Sequence, residues 1–426
     1  MAGKTRKYHL RRQNSTRRRY KGGRFLGKGT YGCTFGFPPL KCAGEPVRKS
    51  DEYISKYVVK KEARTEGIKS KWFKKFDPSD IYFLTASTIC DLDPTDIQPT
   101  NQFGKCHIPI APENKLIFFK NAGTDLLKFK PTPDQMIPFY QSLPHLFDGL
   151  ELAHRNRTYH RDIKLPNVVT LQQPDGSFLT RFIDLGIGVT HPIKQITVAQ
   201  YYGHFYVYWP FDIYFIYRDR FTGPTRLDRL VGGENFSDRY NKFLDKYREQ
   251  FPNTYYPFDN ADGSPIVTYD SMVTILMNPD NLSLTLEKRI ELADIYSLGI
   301  LMLQCFRYFG LTIMFDGADS NVSINYIKPN NKSYNIDIDT LSLPPFSFDA
   351  TIVEWFHNVS TEIYLPLLIL VKEMCNPAPT KRMDLMVAKE YFETLLLPNI
   401  ELYLTGPQVQ NALSAFTARG YRLSTN

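Results

Sequence analysis

Nowhere in its 426 residues does the sequence hold a continuous apolar run of the length a membrane helix needs, roughly 18–20 residues. The N-terminus also lacks the apolar core of a secretory signal. No acidic residue precedes Glu45. Cysteine is sparse and scattered: the six, at positions 33, 42, 90, 106, 305 and 375, form no C-x-x-C pair. They are expected to be small buried thiols in a reducing compartment. A zinc site or disulfide among the first four is the alternative. These absences predict a soluble intracellular protein that is not secreted and has no membrane partner.

What is present is enough for a packed core. Hydrophobic residues make up 42% of the chain and aromatics 14%, which excludes global disorder. Charge is uneven. Residues 1–28 carry eleven Lys or Arg, and taking these from the net +8 leaves −3 for the rest. The sequence therefore reads as a near-neutral body behind a basic disordered arm, residues 1–23. A solvated tail, a nuclear-import signal and non-specific nucleic-acid binding through phosphate contacts are the readings open for that arm.

The densest cluster of chemistry is His160-Arg161-Asp162-Ile163-Lys164-Leu165-Pro166-Asn167. A helical pattern precedes it, from Phe139 to His154. Val168-Val169-Thr170-Leu171 and Phe178-Leu179-Thr180-Arg181-Phe182-Ile183 read as two strands around a Pro-Asp-Gly turn. The second strand delivers Asp184-Leu185-Gly186, whose acid comes 22 residues after Asp162. Helix, polar loop and hairpin would set two acids opposite each other. The eight residues match the H-R-D-x-x-x-x-N catalytic loop of protein kinases.

Upstream, Gly27-Lys28-Gly29-Thr30-Tyr31-Gly32 is a G-x-G-x-x-G match. A dinucleotide fold would need a helix directly after Gly32. Cys33-Thr34-Phe35-Gly36-Phe37 is instead β-branched and aromatic, and Pro38-Pro39 forbids a helix interior. Strand, glycine turn, strand is the kinase arrangement, with backbone N–H groups covering nucleotide phosphates. Gly27 to Gly32 and Thr34 are thus candidate nucleotide-binding positions.

A strand is predicted from Tyr53 to Lys61, carrying two candidates for a phosphate-binding lysine. Lys56 and Lys60 differ by four, so on a strand they would share a face. The following helix carries Ile68, Trp72, Phe73 and Phe76 at helical spacing, with Glu66 near the face of Phe73. Chain reach favours Lys56 paired with Glu66. Lys60, and Glu62 as the partner, remain the alternatives. Asp77-Pro78 ends the helix. Residues 81–84 and 116–119 read as buried strands, and residues 122–126 as a connector into a mainly helical half.

Together these motifs resemble the eukaryotic-type protein kinase superfamily over roughly residues 24–396. Lys164, two residues after Asp162, is similar to the serine/threonine group. Gly-Cys-Thr-Phe followed by Pro38-Pro39-Leu40-Lys41-Cys42, the Phe76-Asp77-Pro78 helix end and Trp209-Pro210-Phe211-Asp212 resemble kinases of the large nucleocytoplasmic DNA viruses. That would place the chain in a host cytoplasm or a virion. The resemblance implies an α+β, two-lobed kinase fold: N-lobe 24–121, C-lobe 122–400 with an insertion at 213–290, and a tail at 401–426. It implies ATP and Mg²⁺, with Asp162 as base, Lys164 neutralising the γ-phosphate, and Asn167 and Asp184 as metal ligands. His160 and Arg161 would brace the loop.

Asp294-Ile295-Tyr296-Ser297-Leu298-Gly299 resembles the start of the central C-lobe helix, and Asn376-Pro377 with Arg382 the late arginine that pairs with the acid ending the activation segment. The chain departs from the family in three places. Asp184-Leu185-Gly186 has Leu where most kinases have Phe. No Ala-Pro-Glu follows it, Pro210-Phe211-Asp212 being nearest. Residues 212–294 make an unusually long link. Within it Ser237 would cap a helix with a stripe of Tyr240, Phe243, Leu244, Tyr247 and Phe251. Thr190 and Thr197 are candidate phosphorylation sites for Arg161 to hold. The expected activity is phosphorylation of protein Ser/Thr hydroxyls. A pseudokinase scaffold, or a nucleic-acid-associated protein acting through the arm, are the competing classes.

Overall fold

Alternating aromatic and β-branched residues between glycines favour paired strands, and the N-terminal part of the chain is built on them. The computed structural model describes residues 23–29, 31–45, 52–96, 102–193, 208–213, 241, 244–245, 267–306, 312–315, 322–327, 333–337, 362–363 and 365–405. The architecture is mixed α and β, sheet-rich at the N-terminal end and helical later. It divides into two units, one within Met1–Arg64 and Ala86–Asn121, the other within Thr65–Thr85 and Ala122–Asn426. Thr65–Thr85, expected in the N-terminal part, falls in the second unit, where Phe73 and Phe83 join its core.

The first unit contains β1 (Arg24–Gly29), β2 (Gly32–Gly36), β3 (Tyr53–Val58), β4 (Thr88–Asp91) and β5 (Lys115–Lys120). They form one sheet in the order β1-β2-β3-β5-β4, with every neighbouring pair antiparallel. Cys33 and Phe35 of β2, Tyr57 of β3, and Leu116 and Phe118 of β5 pack with Phe103 and Ile108 as its core. The Phe103 ring stacks on Phe35 at 5.4 Å and meets Tyr57 edge-on at 5.1 Å.

Two disulfides tie this core, Cys33–Cys106 and Cys42–Cys90, each with Cα atoms 5.7 Å apart. Four of the six expected thiols are therefore cystines. Their sequence spacing concealed this, because each pair meets only once the sheet has closed. Cys305 and Cys375 are buried free thiols, and burial pushes the Cys375 pKa up.

Helix α1 (Lys60–Lys74) follows β3 after one residue. Its buried positions in the second unit are Glu66, Lys69, Ser70 and Phe73, three and four apart as a helix face requires. Ile68, expected on the inward stripe, is exposed because it lies five positions from Phe73. Beyond the helix, the Asp77 carboxylate accepts hydrogen bonds at 2.8 Å from the N–H groups of Ile81, Tyr82 and Phe83. Those donors are then lost to a strand ladder. The predicted strand at 81–84 accordingly reduces to one bridge, Phe83 to Phe182, with Ile81 exposed.

The second unit continues with β6 (Thr124–Asp125), α2 (Pro133–Gln141), α3 (Pro144–Arg155), β7 (Thr158–Tyr159), β8 (Val168–Gln172), β9 (Phe178–Phe182) and β10 (Val189–Thr190). Pro144 at the start of α3 splits the expected helical run in two. Next come α4 (Tyr269–Met277), α5 (Pro279–Ser283) and α6 (Leu286–Cys305). Of the predicted 240–251 stripe, Leu244 is buried in the core; Tyr240, Phe243, Tyr247, Phe251 and Ser237 lie outside the described residues.

Thr285 caps α6 by accepting from Lys288 N–H at 3.2 Å. A Cβ on Gly299 of this helix would stand 2.9 Å from Cys375 Sγ, so glycine permits the close approach. Strands β11 (Thr312–Phe315), β12 (Val322–Ile327) and β13 (Ser333–Asp337) form an antiparallel sheet. Helices α7 (Leu365–Met374), α8 (Leu385–Tyr391) and α9 (Leu397–Thr405) follow, so helix runs past the expected tail boundary at 401. No described helix is long and apolar enough to cross a membrane.

Candidate active site

The β8–β9 hairpin sets the site. Its register pairs Val168 with Phe182, and Ile183 N–H donates to Asn167 O at 2.9 Å. The residue before one strand and the residue just beyond the other are thereby held at the same end of the hairpin. These are Asn167 and, after Ile183, Asp184. At Asp184 the backbone turns left-handed (φ 60°, ψ 66°) into a short 3-10 turn, Leu185–Ile187, with Leu185 buried. A Cβ on Gly186 would lie 3.3 Å from Asp184 Oδ1, so a bare α-carbon suits this tight turn.

Residues 160–167 are held from below by α6. The Asp294 carboxylate, 1% exposed, accepts from His160 N–H at 2.8 Å and from Arg161 N–H at 2.7 Å. Arg161 itself has φ 69°, a conformation that a two-pronged acceptor can stabilise. Its carbonyl accepts from Trp209 Nε1 at 2.7 Å, and its Nη1 donates to Ile187 O at 3.0 Å.

The His160 ring is fully enclosed. Asp162 N–H donates to Nδ1 at 3.2 Å, and Ile183 O can only accept from Nε2, at 3.1 Å. Those two partners define the neutral Nε2–H tautomer. Burial, partly opposed by Asp294, lowers the His160 pKa in the same sense. The ring is a brace.

Asp162 sits at the centre. Lys164 Nζ lies 2.9 Å from Oδ1 and 3.0 Å from Oδ2. Asn167 Nδ2 donates to Asp162 Oδ2 at 2.7 Å and to Asp162 O at 2.9 Å. Burial pushes the Asp162 pKa above the ordinary carboxylate value; Lys164 pulls it back and the nearby Asp184 charge adds to the rise. With both hydrogens of its amide given to Asp162, Asn167 keeps Oδ1 as the atom a cation would use. Asn167 Oδ1 and the Asp184 carboxylate are hard oxygens, fitting Mg²⁺, which takes few protein ligands and completes its shell with phosphate and water.

In the first unit, Gly29 pairs with Gly32 across the hairpin tip. Gly32 has no room for a side chain, since a Cβ would be 2.4 Å from Val58 Cγ1. Tyr31 at the tip is exposed, as are Lys28 and Gly29. Thr30 lies outside the described residues. Across the sheet Gly27 pairs with Thr34, and Thr34 with Lys56. Thr34 and Lys56 are half-buried, on the side opposite Cys33, Phe35 and Tyr57. Lys56 Cε lies 3.5 Å from where a Gly32 Cβ would be.

The two candidate lysines do not share a strand face, because β3 ends at Val58. Lys60 is instead the exposed first residue of α1, and Glu62 lies half-buried in its first turn. Lys56 belongs to the first unit and the buried Glu66 to the second.

Further along, Asp212 and Arg382 form a buried ion pair, with side chains 1% and 0% exposed. Ser297 Oγ donates to Tyr208 O at 2.6 Å. Thr190 lies in β10 opposite Thr158, the hydroxyls 2.9 Å apart. Thr197 lies outside the described residues. Sequence reasoning missed Lys69, whose Nζ donates to Gly186 O at 2.6 Å. Its position, three after Glu66 and four before Phe73, was the available signal. Compared with protein-family models and with curated proteins, the chain matches none.

Proposed function

We propose that the chain is a Mg²⁺-dependent protein kinase of two-lobed fold, moving the γ-phosphoryl group of ATP to protein Ser/Thr hydroxyls. The observation that carries this reading is the half-buried Asp162 carboxylate, fastened through its loop to Asp294 and flanked by Lys164 and Asn167. Phosphoryl transfer needs positioning and charge compensation more than covalent help. Asp162 would orient the attacking hydroxyl and accept its proton. Lys164 would neutralise charge on the transferring group while keeping Asp162 ionised.

Asn167 Oδ1 and Asp184 would hold Mg²⁺, which would offset the charge developing on the transferring group. The glycine hairpin and Lys56 supply the first unit's phosphate-binding groups.

Incubation with radiolabelled ATP and a Ser/Thr peptide library tests the reading. Label should appear on hydroxyl-bearing peptides and be abolished by Asp184→Ala. Label that persists undiminished in that variant would overturn the assignment. Nucleotide binding without transfer would point to a scaffold.

A further inference from the structure

Lys69 is a buried cation that the proposed chemistry does not use. It projects from the inward face of α1 and is 8% exposed, a place where lysine is rarely found unless its charge is satisfied. Its Nζ donates a short, charge-assisted hydrogen bond of 2.6 Å to Gly186 O, 117 residues away. An apolar residue would fill the same space between Glu66 and Phe73 without desolvating an ammonium.

What it grips is the turn that carries Asp184. Ile183 N–H is fixed to Asn167 O, and the Leu185 side chain is anchored in the core. Gly186 carries no side chain and packs 3.3 Å from Asp184 Oδ1, counted from an added Cβ. Glycine at this position gives the backbone freedom to leave the turn. A lysine on its carbonyl removes that freedom.

We infer that Lys69 is a positioning residue: its bond to Gly186 locks the Asp184-Leu185-Gly186 turn so that the Asp184 carboxylate faces the metal. The inference rests on the kinase reading for the role of Asp184. It makes α1 a control element for metal binding through a residue other than Glu66.

The test uses the full chain with Lys69→Met and Lys69→Arg, plus Lys69→Gln should the Met variant not fold. Two readouts need no turnover. Hydrogen exchange of the amides at 184–188 should quicken at least about tenfold in the uncharged variants and stay near wild type in Lys69→Arg. Mn²⁺ affinity, measured by electron paramagnetic resonance with a non-hydrolysable ATP analogue, should weaken about tenfold in the same variants. In assays, the Mg²⁺ requirement should rise while the peptide KM holds.

Uncharged variants with wild-type exchange and wild-type Mn²⁺ affinity overturn the inference alone. A wild-type chain with no nucleotide-dependent Mn²⁺ binding overturns the kinase reading, and the inference with it.

Discussion

Asp162 is held between opposing demands. Its enclosure favours the neutral acid, while Lys164 favours the carboxylate that a base requires. Because the folded pKa is raised above 3.8, this group stabilises the fold fully at pH values below 3.8. That contribution is lost as pH rises through the folded pKa, so at neutral pH its charge works against folding. Asp162→Asn should therefore lower transfer by about 10²–10⁴-fold. Its thermal midpoint should be unchanged or higher, as read by calorimetry beside the activity assay. In the wild type, kcat should fall as pH drops through a midpoint above the ordinary aspartate value. A midpoint at or below 3.8 would refute that placement.

Asp294 obeys a different rule, since its value lies in accepting twice. Asp294→Asn leaves one of two buried N–H groups, at His160 or Arg161, without an acceptor. A loss of about 1–3 kcal/mol in urea unfolding should accompany reduced activity. The residue types at this loop were plain in the sequence, because the proposed phosphoryl transfer would need an acid, a lysine and an amide at fixed spacing. The clamp from Asp294 was legible only as a separate motif, since a bond spanning 134 residues leaves no trace in local pattern.

At the scale of elements, strands and helices with strong periodicity were readable, and their ends were not. The β8–β9 hairpin follows from two apolar runs around Pro-Asp-Gly. By contrast, residues 81–84 look like a strand in composition, yet Asp77 takes the very donors a strand would pair. On α1 the shared face of Glu66 and Phe73 was readable, whereas Ile68 was expected inward and is exposed, and the buried Lys69 was not expected there.

The cystines belong to this scale too, each joining elements far apart in sequence. Closing loops of 73 and 48 residues is worth about 4 kcal/mol apiece in the chain-entropy account. Thiol titration of the denatured chain should count two free thiols before reduction and six after. Reductant should lower the stability of the sheet-rich unit. Six thiols without reduction would contradict the pairing.

Across the molecule, distant segments are fastened by buried polar pairs. Arg382 and Asp212 are 170 residues apart, and neither side chain reaches solvent. Removing one partner leaves an uncompensated charge, so Arg382→Ala should cost about 3–5 kcal/mol in denaturant unfolding. A loss under 1 kcal/mol would mean that the pair is dispensable.

The fastening of residues 160–167 to Asp294 also has a consequence in time. A ribosome that has completed Asn167 has still to make Asp294, and it adds about 5–20 residues each second. For something on the order of ten seconds the nascent chain carries its acid, lysine and amide with nothing beneath them. Until Asp294 is made, the His160 and Arg161 N–H groups have no carboxylate to meet, so the loop can take its folded form only after the chain has grown well past it.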